Sequence, residues 1–356
     1  MLLILLTTIL VLAIAFFQVT QGLFSALMMT VLSLVSLIVA FNYYEPLARL
    51  LYPYQPASAD GIALVVIFVV VLLALRILGD RFIKRNVVMG LWVDRIGGGA
   101  LGILTGMLLV GVLAVVMQML PWGESILGYR PFDDSLRRSQ RLYLFAPDDF
   151  VVGTVRALSG QSLGSRAGFG YGSVHDDLLR ELFCARNTAG RGGRIDARTD
   201  ALTVEGAYSS PGGMWGVAIP TCPMLSDQIT KVVVVRVEVD RRAAGGDGWW
   251  RLPGTHFRLV GESGRSYYPL GYLATSSRGW ECVSAPSSEG VVQPALLIAE
   301  KRAGNEQSVT VDWVFRMLTD DKPDHMVFRR VSRAIVPKVA SRLPDPAGAM
   351  KAPGAD

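Results

Sequence analysis

Residues 96–120 read IGGGALGILTGMLLVGVLAVVMQML, a run without a charged side chain, opened by Asp94-Arg95 and closed by Pro121-Trp122. As a helix this stretch is about 37 Å long, more than the ~30 Å hydrocarbon core of a bilayer. Gly98, Gly102 and Gly106 recur within it at a spacing of four, which puts them on one helix face. Glycine there lets another helix backbone come close, and van der Waals contact then holds the pair. The pattern predicts a packing seam, either within the chain or between copies. Asp94 and Arg95 sit at the edge of the span, where an ion pair, an Asp N-cap or a topology anchor is expected.

Three more apolar runs precede this one. Residues 1–44 contain no Asp, Glu, Lys, Arg or His. They divide into a run up to Gln18 and a second over residues 23–41, with the short break Gln18-Val-Thr-Gln-Gly22 between them, which suits a tight helical hairpin. A signal peptide would need a basic leading region and a polar gap afterwards. Neither is found here. Tyr43-Tyr44 and the Tyr52-Pro-Tyr-Gln-Pro56 stretch look like an interfacial aromatic belt. The third run covers residues 61–78, with Arg76 near enough to its end to snorkel. The loop before the fourth run carries Arg76, Arg81, Lys84, Arg85 and Arg95, whereas the loop between runs two and three carries only Arg49. The positive-inside rule therefore places the former in the cytoplasm and everything after residue 122 outside. Arg130, Arg137, Arg138 and Arg141 pull the other way, but long translocated regions obey the rule poorly.

The chain has 356 residues, enough for more than one domain, and its composition changes at Glu124. Beyond that point it is rich in Arg, Asp, Gly and Ser. Residues 148–159 read as an amphipathic helix with Val151, Val155 and Leu158 on one face, lying on the membrane surface or on the bundle. Residues 160–172 read as a Gly/Ser linker, 174–184 as a second helix, and 190–198 as a loop. From about residue 202 the pattern turns to β. Residues 229–240, ITKVVVVRVEVD, are β-branched and then alternate, and Gly261-Glu-Ser-Gly264 between two short strands signals a hairpin. The expected fold is a membrane all-α four-helix bundle followed by a soluble all-β domain resembling an immunoglobulin-like sandwich. The expected boundaries are a transmembrane domain over 1–122, helices and linker over 123–200, the β-sandwich over 201–340 and a disordered tail over 341–356.

Asp94-Arg95 followed by Gly98, Gly102 and Gly106 at the head of the fourth helix, after a helical hairpin, the aromatic end at Tyr43-Tyr44 and a basic stretch, resembles the signature of the colicin V production protein (CvpA-like) membrane family. The resemblance covers about residues 10–160. It departs from the family where Gln21-Gly22 stands in place of an Arg-Gly pair followed by an acid. The resemblance implies a bacterial inner-membrane, multi-pass protein linked to colicin V production or export, hence toxin biosynthesis, and to the cell envelope. It implies no defined reaction.

Other motifs fall to their context. Residues 160–164, GQSLG, match a nucleophile elbow, but that turn needs a strand before the serine and a helix after it, the reverse of what is expected here. Residues 97–102 match GxGxxG but open a membrane helix rather than follow a strand. His175, His256 and His325 lack metal-ligand spacing. His256, in an alternating strand, is expected at a surface or edge, and His175-Asp176-Asp177 at a helix N-terminus. Cys184, Cys222 and Cys282 fit no zinc pattern, and leave open one disulfide plus a thiol or three buried thiols. The net charge of +5 is spread along the chain without a nucleic-acid-binding motif, so nucleic acid is excluded. Runs one, two and four carry no intramembrane acid, which argues against a self-contained ion-coupled transporter. The sequence thus reads as a non-enzymatic membrane scaffold or accessory protein with no catalytic, cofactor or metal residues. Its expected partners are the lipid bilayer, a membrane or envelope protein, and further copies of itself. The competing reading is an oligomeric channel or transporter subunit lined by Gln18, Thr20, Gln21 and Thr105.

Overall fold

The computed structural model describes residues 2–55, 57–82, 90–123, 125–142, 146–161, 175, 177–186, 199–209, 229–244, 249–276, 279–288, 291–302 and 304–341. The chain forms two compact units, one of residues 1–131 with 138–172 and the other of residues 132–137 with 173–356. The readings of residues 162–172 as a linker, 190–198 as a loop and 342–356 as a tail lie outside the described residues.

The first unit is helical: α1 Leu2–Gln21, α2 Leu23–Leu51, α3 Ala59–Phe82, α4 Leu91–Met119 and α5 Pro147–Gln161. The first four are long and apolar enough to cross a membrane. Many of their large side chains point outward, Phe16, Phe17, Val70, Leu73 and Ile77 among them, while Ala15, Ala26, Ala40, Ser33, Ser36 and Gly102 face inward. That inversion suits a bundle whose solvent is hydrocarbon, where small residues let helices meet. The polypeptide turns from α1 to α2 at a single residue, Gly22, with φ 87°. The α2 helix runs on to Leu51, past the expected end at residue 41 and through Pro46. The expected aromatic belt is only partly outward. Tyr43 and Tyr54 are 62% and 82% exposed, but Tyr44 is buried edge-on against Phe41. The α5 helix lies on the bundle, with Val151 and Val155 buried. It crosses α4 at Gly111, where an added Cβ would come within 2.2 Å of the Pro147 carbonyl oxygen.

The second unit begins with α6, Leu178–Arg186, and continues as strands with a short helical turn, α7 Arg241–Ala244. The strands are β1 Leu202–Ser209, β2 Thr230–Asp240, β3 Trp249–Pro253, β4 Phe257–Gly261, β5 Ser266–Tyr267, β6 Gly271–Ser276, β7 Gly279–Ser284, β8 Ser287–Ser288, β9 Val291–Val292, β10 Ile298–Arg302, β11 Ser308–Leu318, β12 Pro323–Phe328 and β13 Ser332–Ile335. They form several antiparallel sheets: β1-β2-β11-β6-β7, β13-β12-β4-β5, and the pairs β10-β3 and β8-β9. The valine run in β2 is explained by burial on both faces, as near-continuous apolar strands are. Val233, Val235, Val237 and Val239 join the main core with Trp313, Phe257, Phe315 and Phe328, whereas Val232 and Val234 pack with Leu273, Cys282 and Val314. On the second face Arg236 meets its register partner Asp312 through two hydrogen bonds of 2.8 and 3.0 Å. The hairpin expected at Gly261–Gly264 joins β4 to β5, with Gly264 at φ 80°.

Candidate functional site

The glycine face of α4 meets α1 of the same chain. An added Cβ would lie 3.0 Å from the Gln18 carbonyl oxygen at Gly98, 2.9 Å from the Ala15 Cα at Gly102 and 3.0 Å from the Val11 carbonyl oxygen at Gly106. Over these turns the two helices touch backbone to backbone, and any side chain on α4 would separate them.

At the top of the seam stands Asp94. Its Oδ1 accepts a hydrogen bond from the Leu23 amide at 2.7 Å, so the carboxylate caps α2. The sequence suggested an N-cap or an ion pair. The residue does cap a helix, but a neighbouring one: its own helix begins at Gly90 without a side-chain cap. The first amides of α2 have no partner within the helix, and a negative charge is favourable at that end. Gly22 makes room for this contact, because a Cβ there would lie 2.6 Å from Asp94 Oδ2. Its positive φ independently disfavours a side chain. Arg95 is exposed and takes no part in the cap.

Further down the bundle, Thr30 of α2 and Thr105 of α4 join their hydroxyls at 2.7 Å. Each also bonds back to its own helix, to Ala26 and Leu101 respectively. Gln18 is buried against Gly102, whereas Thr20 and Gln21 are exposed and bond to Phe17 and Ser25. Four residues expected to line a pore therefore do not converge.

A second polar cluster closes the other end of α4. Asp148, at the start of α5 and wholly buried, receives three donors on its Oδ2: Gln118 Nε2 at 3.1 Å, Tyr129 Oη at 3.0 Å and an Arg138 Nη at 3.1 Å. The same Arg138 nitrogen donates to Asp149 at 2.9 Å. Asp148 Oδ1 and Gln118 Oε1 are buried without a hydrogen-bond partner among the described residues. Burial raises the Asp149 carboxyl above its usual range despite Arg138. Burial, and then the Asp148 carboxylate, push the Tyr129 phenol far up. Burial works against the Arg138 charge, but Tyr129, Asp148 and Asp149 outweigh it and hold the guanidinium more firmly protonated. The arrangement fastens α5 and the segment after α4 to the end of the bundle. Sequence reasoning missed it because each member had a local explanation: the acids at a helix start, and Arg138 as a charge outside the membrane. The available signal was Gln118, a lone amide in an apolar run.

Among the described residues no group of three or more His, Cys, Asp or Glu could hold a metal ion. His175 is buried with Nδ1 2.6 Å from Glu181 Oε2, just ahead of α6, whose start is capped by Asp177. His256 is 3% exposed in a tight turn before β4, not at the surface or edge expected of an alternating strand. It falls one residue before the strand begins. Cys184 and Cys282 are buried thiols, with burial pushing Cys184 up to about 12, and Cys222 lies outside the described residues. The GQSLG serine also lies outside them.

No curated protein and no solved structure matches this chain. Residues 2–146 match the family described as Colicin V production protein, and residues beyond that stretch are unassigned. The match takes in the four candidate spans, the glycine seam, the Asp94 cap and the segment up to α5. Residues 2–146, and no more of the chain than these, are thus shown to be a region of the colicin V production protein family.

Proposed function

We propose that this protein is a non-enzymatic scaffold or accessory protein of the bacterial inner membrane, with its β region outside the cytoplasm serving an envelope partner, in support of colicin V production or export. The observation that carries the reading is how polar groups in the spans are used. Asp94, Thr30 and Thr105 bind helix to helix rather than facing a common lumen or a reacting centre. Charged and polar groups that serve transport usually face a cavity. We read the several antiparallel sheets of the β region as an immunoglobulin-like sandwich used for binding. The channel alternative requires Gln18 and Thr105 to face water in an oligomer, and both are buried against sister helices.

Two measurements test this. Full-length protein reconstituted in liposomes should pass no ions under a membrane potential, and steady flux that Thr105→Val reduces would establish the channel instead. A reporter fused after residue 356 should be active only in its extracytoplasmic form, and activity of a cytoplasmic reporter would invert the topology.

A further inference from the structure

In the helical unit the chain leaves α4 and then turns back alongside it. The helix ends at Met119, yet Ile126 and Tyr129 pack in one cluster with Leu3, Ile4, Ala114 and Leu142. Ala114 lies more than one turn before Met119, about 7 Å back along the helix at 1.5 Å per residue. The first turn of α1 forms the other side of that contact. Its Leu3 amide donates to the Leu127 carbonyl at 3.5 Å, which supplies one of the amides that a helix start leaves open. With 20 residues α1 is about 30 Å long, the thickness of the hydrocarbon core. Its first turn therefore stands at the edge of the bilayer, with Leu2, Leu5 and Leu6 turned outward.

Residues 126–129 make a tight hairpin closed in both directions. The Ile126 amide donates to the Tyr129 carbonyl at 3.0 Å, and the Tyr129 amide to the Ile126 carbonyl at 2.9 Å. Leu127 and Gly128 stand at its centre with φ 49° and 80°. Glycine suits its place, but the first central position of such a turn favours asparagine or aspartate, because a left-handed backbone crowds other side chains. Strain of this kind persists when the surroundings over-determine it. Here Ile126 and Tyr129 are buried, and the Tyr129 hydroxyl is tied to Asp148 at 3.0 Å. With both held inward, the tip presents Leu127, 47% exposed. Trp122 on the same segment is also about half exposed, and tryptophan concentrates at membrane interfaces.

We propose that the 126–129 turn enters the membrane interface and that Leu127 is a lipid anchor, with its side chain among the acyl chains just below the headgroups. The inference rests on the helical unit spanning a membrane. A strained leucine aimed at water carries two penalties, whereas among acyl chains its burial offsets the strain. Lipid-exposed loop backbone does not sit deep in hydrocarbon, which keeps the turn at the headgroup boundary. The outward face of the first turn of α1 continues onto Leu127, so one lipid-facing surface runs from a helix onto a loop. The anchor sets the depth of the end of α4 and of the Asp148 cluster behind the turn.

The test places a nitroxide at Leu127→Cys in full-length protein in phosphatidylcholine nanodiscs, with the signal of the identically treated parent subtracted. Val70→Cys, outward on α3, is the hydrocarbon reference, and Arg141→Cys is the water reference. The readout is the accessibility of each label to oxygen relative to a water-soluble nickel chelate. A ratio at Leu127 severalfold above that at Arg141 upholds the anchor, and equal ratios at the two overturn it. Low access to both reagents at Leu127 would mean a protein cover, and also overturns it. A Val70 label open to nickel would instead break the membrane-spanning reading itself. Should the labelled Leu127 variant fail to fold, the unaltered chain is irradiated in discs of phosphatidylcholine with an acyl-chain diazirine. Adducts localised to residues 126–129 uphold the anchor, and adducts on α3 with none in the turn overturn it.

Discussion

The two units are held together by opposite means. In the helical unit the closest contacts are made where side chains are missing, at Gly98, Gly102 and Gly106 against α1 and at Gly111 against α5. In the β unit the main core is instead built around the largest side chains. Trp313 stacks at 4.9 Å from Phe257, which in turn lies 4.7 Å from Phe328, all wholly or nearly wholly buried. The difference follows from the solvent each unit displaces. Water expels large apolar groups, so a core in water gains from size. Hydrocarbon does not, so helices in a bilayer gain only from close approach and the few polar links it permits.

This contrast can be broken by mutation, beginning with the largest effect. Trp313→Ala should cost the β unit about 3–5 kcal/mol, the usual loss for a buried large aromatic, seen as a lowered unfolding midpoint of the full-length protein. The helical unit should respond to the reverse change. Gly102→Ala adds only a methyl, yet with Ala15 Cα 2.9 Å from the new Cβ it should cost about 1–3 kcal/mol. Thermal stability in detergent would show it, and a neutral result would mean the seam is not tightly closed. Asp94→Ala should cost about 1 kcal/mol, as loss of a helix cap does. Thr105→Val should cost only about 0.6 kcal/mol, the typical value of a hydrogen bond between membrane helices; a larger loss would show that polar links outweigh close packing there.

The smallest effect depends on pH and belongs to the β unit. Asp321 is partly offset by burial, but hydrogen bonds from Ser263 and Tyr267 and backbone amides hold its carboxyl below the usual range. A depressed folded value adds stability above the unfolded carboxylate pKa of about 3.9 and loses it as the pH falls through the folded value. The difference in unfolding midpoint between parent and Asp321→Asn should therefore be constant near neutrality and shrink below about pH 4.

The four long helices were legible because hydrocarbon leaves no other choice for runs such as residues 61–78. The switch to β after residue 202 was legible from the alternation in residues 229–240. What could not be read were meetings between residues far apart in sequence. Asp94 and Leu23 are 71 residues apart, and nothing local tells an aspartate in the first turn of one helix that it caps another. Tyr44 looked like its neighbour Tyr43, and only the direction each faces on α2 separates the buried ring from the exposed one. The Asp148 cluster draws on α4, α5 and the segment between them, and each of its charges was accounted for singly. Strand order was hidden for a related reason, since β11 pairs with both β2 and β6 at once.

The cap on α2 also sets a clock. Synthesis delivers Leu23 well before Asp94, and at roughly 5–20 residues per second the 71 residues between them take about 4–14 s. For that interval the newborn α1–α2 hairpin carries an uncapped amide at its tip and no partner for its small-residue face. Until the fourth helix is released, water or lipid headgroups can satisfy that amide. The fourth span is the one that latches the first two.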